Sequence, residues 1–211
     1  MSLIPQVIRR LACLTLFLAL LQSPLSHAAL IQLQPGSTIA GPGDTVSLDL
    51  VVSGLGNFTP VSLGAFDIGI GFDSSVLSFG GYTLGSFLGD IGLAEAIDAS
   101  FGGLVGEVNV GEVSLLSAVS LDALQPSEFL LATLDFNVIA LSEGATTQLS
   151  VLSGSLLADA FGQRVAVDEV GTASIEGRAT APVPVPGTLL LLFASLCGWR
   201  LSQTSRNRAH K

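Results

Sequence analysis

From Leu30 to Ile175 the chain changes character at every second residue, and that period limits its possible folds more than any other property it has. Val46, Leu48, Leu50 and Val52 alternate with Thr45, Ser47, Asp49 and Ser53, and only Val51 interrupts the polar set. Phe66, Ile68, Ile70 and Phe72 alternate with Ala65, Asp67, Gly69 and Gly71; Leu130, Ala132, Leu134, Phe136 and Val138 alternate with Thr133, Asp135 and Asn137. Successive side chains of an extended strand point to opposite faces, so these runs predict strands with one buried and one wet face. Turn-forming clusters separate them, at Gly41-Pro42-Gly43-Asp44, Gly54 to Asn57, Asp73-Ser74-Ser75, Gly80-Gly81, Gly102-Gly103, Gln125-Pro126-Ser127 and Glu143-Gly144. Strands punctuated in this way, with no long helical stripe between them, predict an all-β fold, an antiparallel β-sandwich or jelly roll over residues 29–177. Around Gly111 the phase slips from Val108 and Val110 to Val113 and Leu115, which predicts a bulge or a strand break there. Ile91 to Asp98 has room for one helical turn.

The chemistry available to such a domain is narrow. Both cysteines (Cys13, Cys197), both histidines (His27, His210) and the lysine Lys211 lie outside residues 29–177. That removes Ser-His-Asp and Cys-His nucleophiles, Ser-Lys dyads, Schiff bases, His- or Cys-ligated metals and any disulfide. All 17 acidic residues lie between Asp44 and Glu176, accompanied among the basic ones only by Arg164 and, just beyond, Arg178, so residues 29–178 carry a charge of about −15. Such a surface repels phosphate backbones, which argues against nucleic acid, and suits divalent cations or a basic partner.

The two ends read as targeting segments. Arg9 and Arg10 precede the apolar Leu11 to Leu21 and the small-residue site Ser26-His27-Ala28, the layout of a signal peptide over residues 1–28. At the other end a Pro-rich linker (residues 178–187) leads into an apolar segment (residues 188–201) and a basic tail (residues 202–211). Leu189 to Trp199 would span about 17 Å as a helix against a hydrocarbon core of about 30 Å. A transmembrane helix here is therefore short, and Arg200, Arg206, Arg208 and Lys211 would hold the C-terminus in the cytoplasm.

Four stretches in order suggest a family. Gly43-Asp44-Thr45-Val46-Ser47-Leu48 resembles the opening strand of cohesin domains, and Leu63 to Asp73 resembles their strand ending in a YDP-like turn. Phe129 to Val138 is similar to their FATIxFKV strand, and Leu157 to Gly162 followed by Gly171 to Ile175 is similar to their closing strands. The resemblance implies a sandwich that binds a protein partner of the dockerin kind. The tail resembles a PEP-CTERM sorting signal, with Pro184, Val185, Pro186, Gly187 and Thr188 as the motif and Val185 where that family has Glu. It implies an exosortase-type enzyme acting beside the membrane, then delivery to the cell surface or extracellular matrix of a Gram-negative bacterium. The expectation is an exported, non-enzymatic binding or structural module engaging protein or polysaccharide. The alternatives are a carboxylate-dependent enzyme acting on surface polysaccharide and a simple membrane-anchored surface protein.

Few side chains single themselves out as a site. Gly69 and Gly71, both on the polar side of one strand, would make a flat partner face where another backbone approaches closely. Calcium is a possible ligand, through loop carboxylates at Asp73, Asp90, Asp159, Asp168 and Glu169, although no EF-hand pattern occurs. No catalytic residue is named, because Asp49, Asp67 and Asp135 are accounted for by wet strand faces. Tyr82 is the only tyrosine, and the domain has no Trp, so the usual sugar-stacking platforms are missing.

Overall fold

The computed structural model describes residues 28–179. The expected signal peptide up to residue 27 lies outside the described residues, as do the sorting motif Pro184 to Thr188, the apolar segment and the basic residues Arg200, Arg206, Arg208 and Lys211. Among the described residues no helix is long and apolar enough to cross a membrane.

The described residues form thirteen strands in two facing layers. The first layer runs β1 (Ala28–Pro35), β3 (Thr45–Ser53), β9 (Glu128–Val138) and β5 (Leu77–Leu84), all antiparallel neighbours. In the second, β4 (Leu63–Gly71) is central. One edge of β4 pairs with β8 (Glu107–Ser114), which carries β6 (Ala96–Asp98) and β7 (Gly102–Leu104). The other edge pairs first with β11 (Leu156–Asp159) and then with β10 (Thr146–Val151). β13 (Thr172–Gly177) and β2 (Ile39–Ala40) continue that layer beyond β10. β12 (Arg164–Val170) joins the layers, antiparallel to β11 and parallel to β1. The antiparallel sandwich read from the alternation is thus the fold observed.

The predicted inward residues fill the space between the layers. Leu48, Leu50, Leu134 and Phe136 meet Ile68, Ile70, Val108 and Val110, all completely buried in one cluster. Phe136 packs edge-on against Phe72 and Phe79, with centroids 5.1 and 5.9 Å away. Each such side chain contributes about 1.5–3 kcal/mol on burial, which is how a domain without disulfides holds together. On the wet side of β3 and β9 the hydroxyls and acids pair across the strands: Ser47 donates to Asp135 (2.6 Å), Thr133 to Asp49 (2.6 Å) and Thr45 to Asn137 (2.8 Å). Among the described residues helix is confined to a 3-10 turn, Ile91–Leu93, and to α1 (Ala118–Leu124), capped by Ser117 accepting from the Ser120 N–H.

Two phase readings need correction. No register shift occurs at Gly111: β8 pairs with β4 without interruption from Ala65↔Val113 to Gly71↔Glu107. The strand stays in phase, and Glu112 takes the inward position after Val108 and Val110, leaving Val113 and Leu115 outside. The bulge lies instead in β9, where the pairing jumps from Leu50↔Ala132 to Val51↔Leu130. The extra residue, Leu131, is fully buried, and Leu130, expected inside, turns partly outward. The same bulge explains how Val51 and Val52 are both buried.

Candidate functional site

The outer face of β11, β4, β8 and β6 departs from the rule that a wet strand face is polar. Along these strands the outward positions are Leu156 and Ala158, Ala65 and Asp67, Gly111 and Val113, and Ile97. With Ala99 and Phe101 from the chain after β6, several of them line a shallow hollow of about 320 Å³: Ala65, Asp67, Ala99, Phe101, Val113, Leu156 and Ala158. Phe101 stands 85% exposed beside it, and Ile97, Val113 and Leu156 are each open to solvent by 40% or more. Contiguous exposed apolar surface on an otherwise acidic domain marks a contact region. At its polar end Asn109 donates to Asp67 at 2.6 Å, while its own amide oxygen is buried without a partner.

Gly69 and Gly71 lie further along β4, and what approaches them closely is the chain itself. Where β4 passes from β11 to β10 as partner, the Leu152 N–H donates to the Gly69 carbonyl (2.8 Å) and Ser155 Oγ accepts from the Gly69 N–H (3.2 Å). The Leu152 side chain then folds over both glycines; a Cβ added at Gly71 would meet its Cδ2 at 2.9 Å and one at Gly69 its Cδ1 at 3.4 Å. The bare patch expected there is covered by Leu152, because a strand that changes partners leaves a crossover that needs room. The apolar hollow nearby was not read from the sequence. Phe101 gave a signal, a large aromatic between Ser100 and two glycines in a turn, but its neighbours Val113 and Leu156 are distant in the chain.

A second depression follows the open edge between β5 and β6, lined by Phe79, Tyr82, Thr83, Asp90 and Asp98 among others, with a volume of about 710 Å³. Tyr82 stacks on Phe79 with ring centroids 6.4 Å apart and donates its phenol proton to Asp98 Oδ2 at 2.7 Å. That bond clasps the edge strand of one layer to that of the other. Ser100 draws the Tyr82 phenol downward, but the bond to Asp98, burial and the Asp98 charge outweigh it and hold it above its usual value. Burial raises Asp98, yet hydrogen bonds from Ser100 and Tyr82 prevail and keep it below the ordinary carboxylate range. Glu112, cross-strand from Asp98, is driven the other way. Burial first and the Asp98 charge second push it up to about 7.

Of the carboxylates expected for calcium, Asp168 and Glu169 lie on strand β12 rather than in a loop, and Asp73, Asp90 and Asp159 are engaged in local turns. Asp73 Oδ1 accepts from the Ser75 N–H and hydroxyl, which lowers its pKa, Asp90 Oδ1 from Gly92 N–H, and Asp159 Oδ1 from Phe161 and Gln163 N–H. Among the described residues no three His, Cys, Asp or Glu side chains come together in a way that could hold a metal.

No family model matches the chain and no curated protein matches it in sequence. Solved structures do. A cohesin module from a Clostridium perfringens family 33 glycoside hydrolase is 12% identical over 72% of this chain and 98% of its own, with a TM-score of 0.56. A type II cohesin domain from the Acetivibrio cellulolyticus cellulosome is 18% identical over 70% and 95%, also at 0.56. The sixth cohesin of Acetivibrio cellulolyticus scaffoldin B, solved with a mutant Cel5 dockerin, is 16% identical over 71% and 99%, at 0.54. The described residues therefore have the fold of cohesin modules, at identities that speak to the fold alone.

Proposed function

We propose that this protein is a non-enzymatic binding module that holds a protein partner on the outer face of β11, β4, β8 and β6. The observation that carries this reading is the exposed apolar hollow beside Phe101 on a domain whose charge is otherwise almost wholly negative. A complementary partner has an apolar centre with a large aliphatic or aromatic anchor and a basic rim, the arrangement that gives both affinity and fast encounter. The cohesins of similar fold support the reading, since the Acetivibrio cellulolyticus example is seen bound to a dockerin; a dockerin-like module is the first partner class to try. The absence of His, Cys and Lys from residues 29–177 weighs against the alternative, a polysaccharide-cleaving enzyme, which would need a pair of acids working alone.

The test is calorimetric binding to a panel of dockerin modules and exported proteins of the same cell, comparing the native protein with Phe101→Ser and Val113→Ser. Both positions are exposed, so folding is retained. Truncating an interface anchor weakens binding about 10-fold or more. Equal affinity in all three proteins would remove this face from consideration, and glycan turnover abolished by one Asp or Glu change would replace the reading altogether.

The remaining expectation concerns delivery. The N-terminal segment exports the domain, and an exosortase-type enzyme cuts near Pro186 and passes it to the surface or matrix. An intact C-terminus through Lys211 in the native protein, measured by mass spectrometry, would make the tail a plain membrane anchor instead.

A further inference from the structure

Glu112 breaks the most general rule of a sandwich interior. It sits on the inward face of β8, in the row of Val108 and Val110, with no exposed surface, and neither carboxylate oxygen has a hydrogen-bond partner. Its two cross-strand neighbours are Phe66 on β4 and Asp98 on β6. Phe66 offers no proton. Asp98 offers a negative charge, already held by the Tyr82 phenol from β5 and the Ser100 N–H.

Among the described residues no cation answers it. β4, β5, β6 and β8 contain no basic residue, and of the two arginines described, Arg178 pairs with Asp44 and Arg164 lies on β12. The other acids nearby are occupied elsewhere: Asp67 of β4 faces outward onto Asn109, and Glu95, just before β6, accepts from the Asp90 N–H. Two carboxyls directly opposite on neighbouring strands, one of them wholly buried, cannot both ionise without strain.

The strand that can relieve this strain is β6. It has three residues, pairs only with β8, and runs between two glycines with left-handed backbone, Gly89 (φ +126°) and Gly102 (φ +72°). Across the mouth of the sandwich its side chains are tied by the Tyr82–Asp98 bond. We propose that β6 is a proton-controlled flap: while Glu112 is neutral, β6 lies closed on β8 with the clasp to β5 made. When Glu112 ionises, the segment opens, carrying Asp98 off and admitting water to Glu112. The elevated pKa of Glu112 puts this change near neutral pH rather than in strong acid. Opening must break the bonds from Leu115 N–H to the Glu95 carbonyl and from Ala99 N–H to the Gly111 carbonyl, so it is a minor population that grows with pH. Ile97 and Phe101 travel with the flap, so its closure also assembles the apolar face; this last consequence rests on the function proposed above.

Hydrogen exchange of the full chain, corrected for the intrinsic rate, tests the flap directly. Protection of the amides of Ala96 to Ser100 should fall about 10-fold between pH 5.5 and 8, while those of β3 and β9 hold constant. In Glu112→Gln, which keeps the shape but cannot ionise, protection should not vary with pH. Asp98→Asn, a change at the exposed edge, should move the fall to lower pH and shrink it, because the Asp98 charge is part of what raises Glu112. Constant protection in the native protein, or an unchanged fall in Glu112→Gln, would overturn the proposal; should Glu112→Gln fail to fold, an unchanged midpoint in Asp98→Asn would do so. Partner affinity that ignores pH while the flap responds would count against the binding face and leave the flap standing.

Discussion

Gln125 shows how much one side chain can carry without any sign in the sequence. It closes a turn before Pro126, yet it is 1% exposed, and its amide makes three bonds. Oε1 accepts from the Leu63 N–H (2.6 Å), and Nε2 donates to the Leu63 carbonyl (2.8 Å) and the Phe87 carbonyl (3.0 Å). It thereby stands in for a missing strand partner at the start of β4. Gln125→Leu, similar in volume, strands the two buried backbone groups of Leu63 at about 1–3 kcal/mol each before relaxation, and frees the half-buried Phe87 carbonyl. We expect a net loss of about 3 kcal/mol in urea unfolding, with an unchanged m-value; a loss below about 1 kcal/mol would mean that water reaches those groups. Glu112 is the converse case, a polar side chain without bonds where an apolar one belongs.

At the scale of elements, glycine positions that look alike in the sequence separate by what lies above them. A Cβ at Gly64 would meet the backbone of β11 and its turn, Asp159 O at 2.5 Å and the Ala160 Cα at 2.8 Å. A Cβ at Gly71 is crowded only by side chain, Leu152 Cδ2 at 2.9 Å, with the Ser150 hydroxyl at an ordinary 3.8 Å. Backbone cannot step aside and a half-buried leucine can, so Gly64→Ala should cost about 2–3 kcal/mol and Gly71→Ala less than about 1. Paired thermal melts check this, and equal losses would show that Leu152 is locked in place. The strand interiors were legible for a related reason. Val46, Leu48, Leu50 and Val52 lie inside because period two is a local property of extended backbone. The β9 bulge and the true phase of β8 were not, since both depend on which residue stands opposite. Val113 and Leu115 looked like a shifted inward set, whereas they belong to an exposed face that only the pairing with Ala65 and Ile97 reveals.

For the whole molecule, Glu112 sets a pH dependence opposite to that of Asp98. Its folded-state pKa is raised to about 7 from an ordinary 4.5, so between those values the native state keeps a proton that the unfolded chain has released. Stability from this group is full below pH 4.5, falls as pH rises through that window, and is level above it. Asp98, held below its ordinary value, acts in reverse and loses its contribution only in acid. Glu112→Met, which fills the site without a charge, should therefore raise the melting temperature at pH 8 by several degrees and leave it little changed at pH 4.5. A melting temperature for Glu112→Met at or below the native one at pH 8 would show that the carboxyl is satisfied in solution.

The sequence alone determined that residues 29–177 make an antiparallel sandwich, that this part has no His, Cys or Lys for catalysis, and that it carries excess negative charge. All three follow from properties of single residues or their immediate neighbours, which no folding can alter. Tertiary structure alone decided that Leu152 covers Gly69 and Gly71, that Phe101, Val113 and Leu156 share one exposed hollow, and that Asp98 and Glu112 face each other at the sandwich edge. These are meetings between residues far apart in the chain, fixed by strand order and register, and period two is the same whichever strands come to lie side by side.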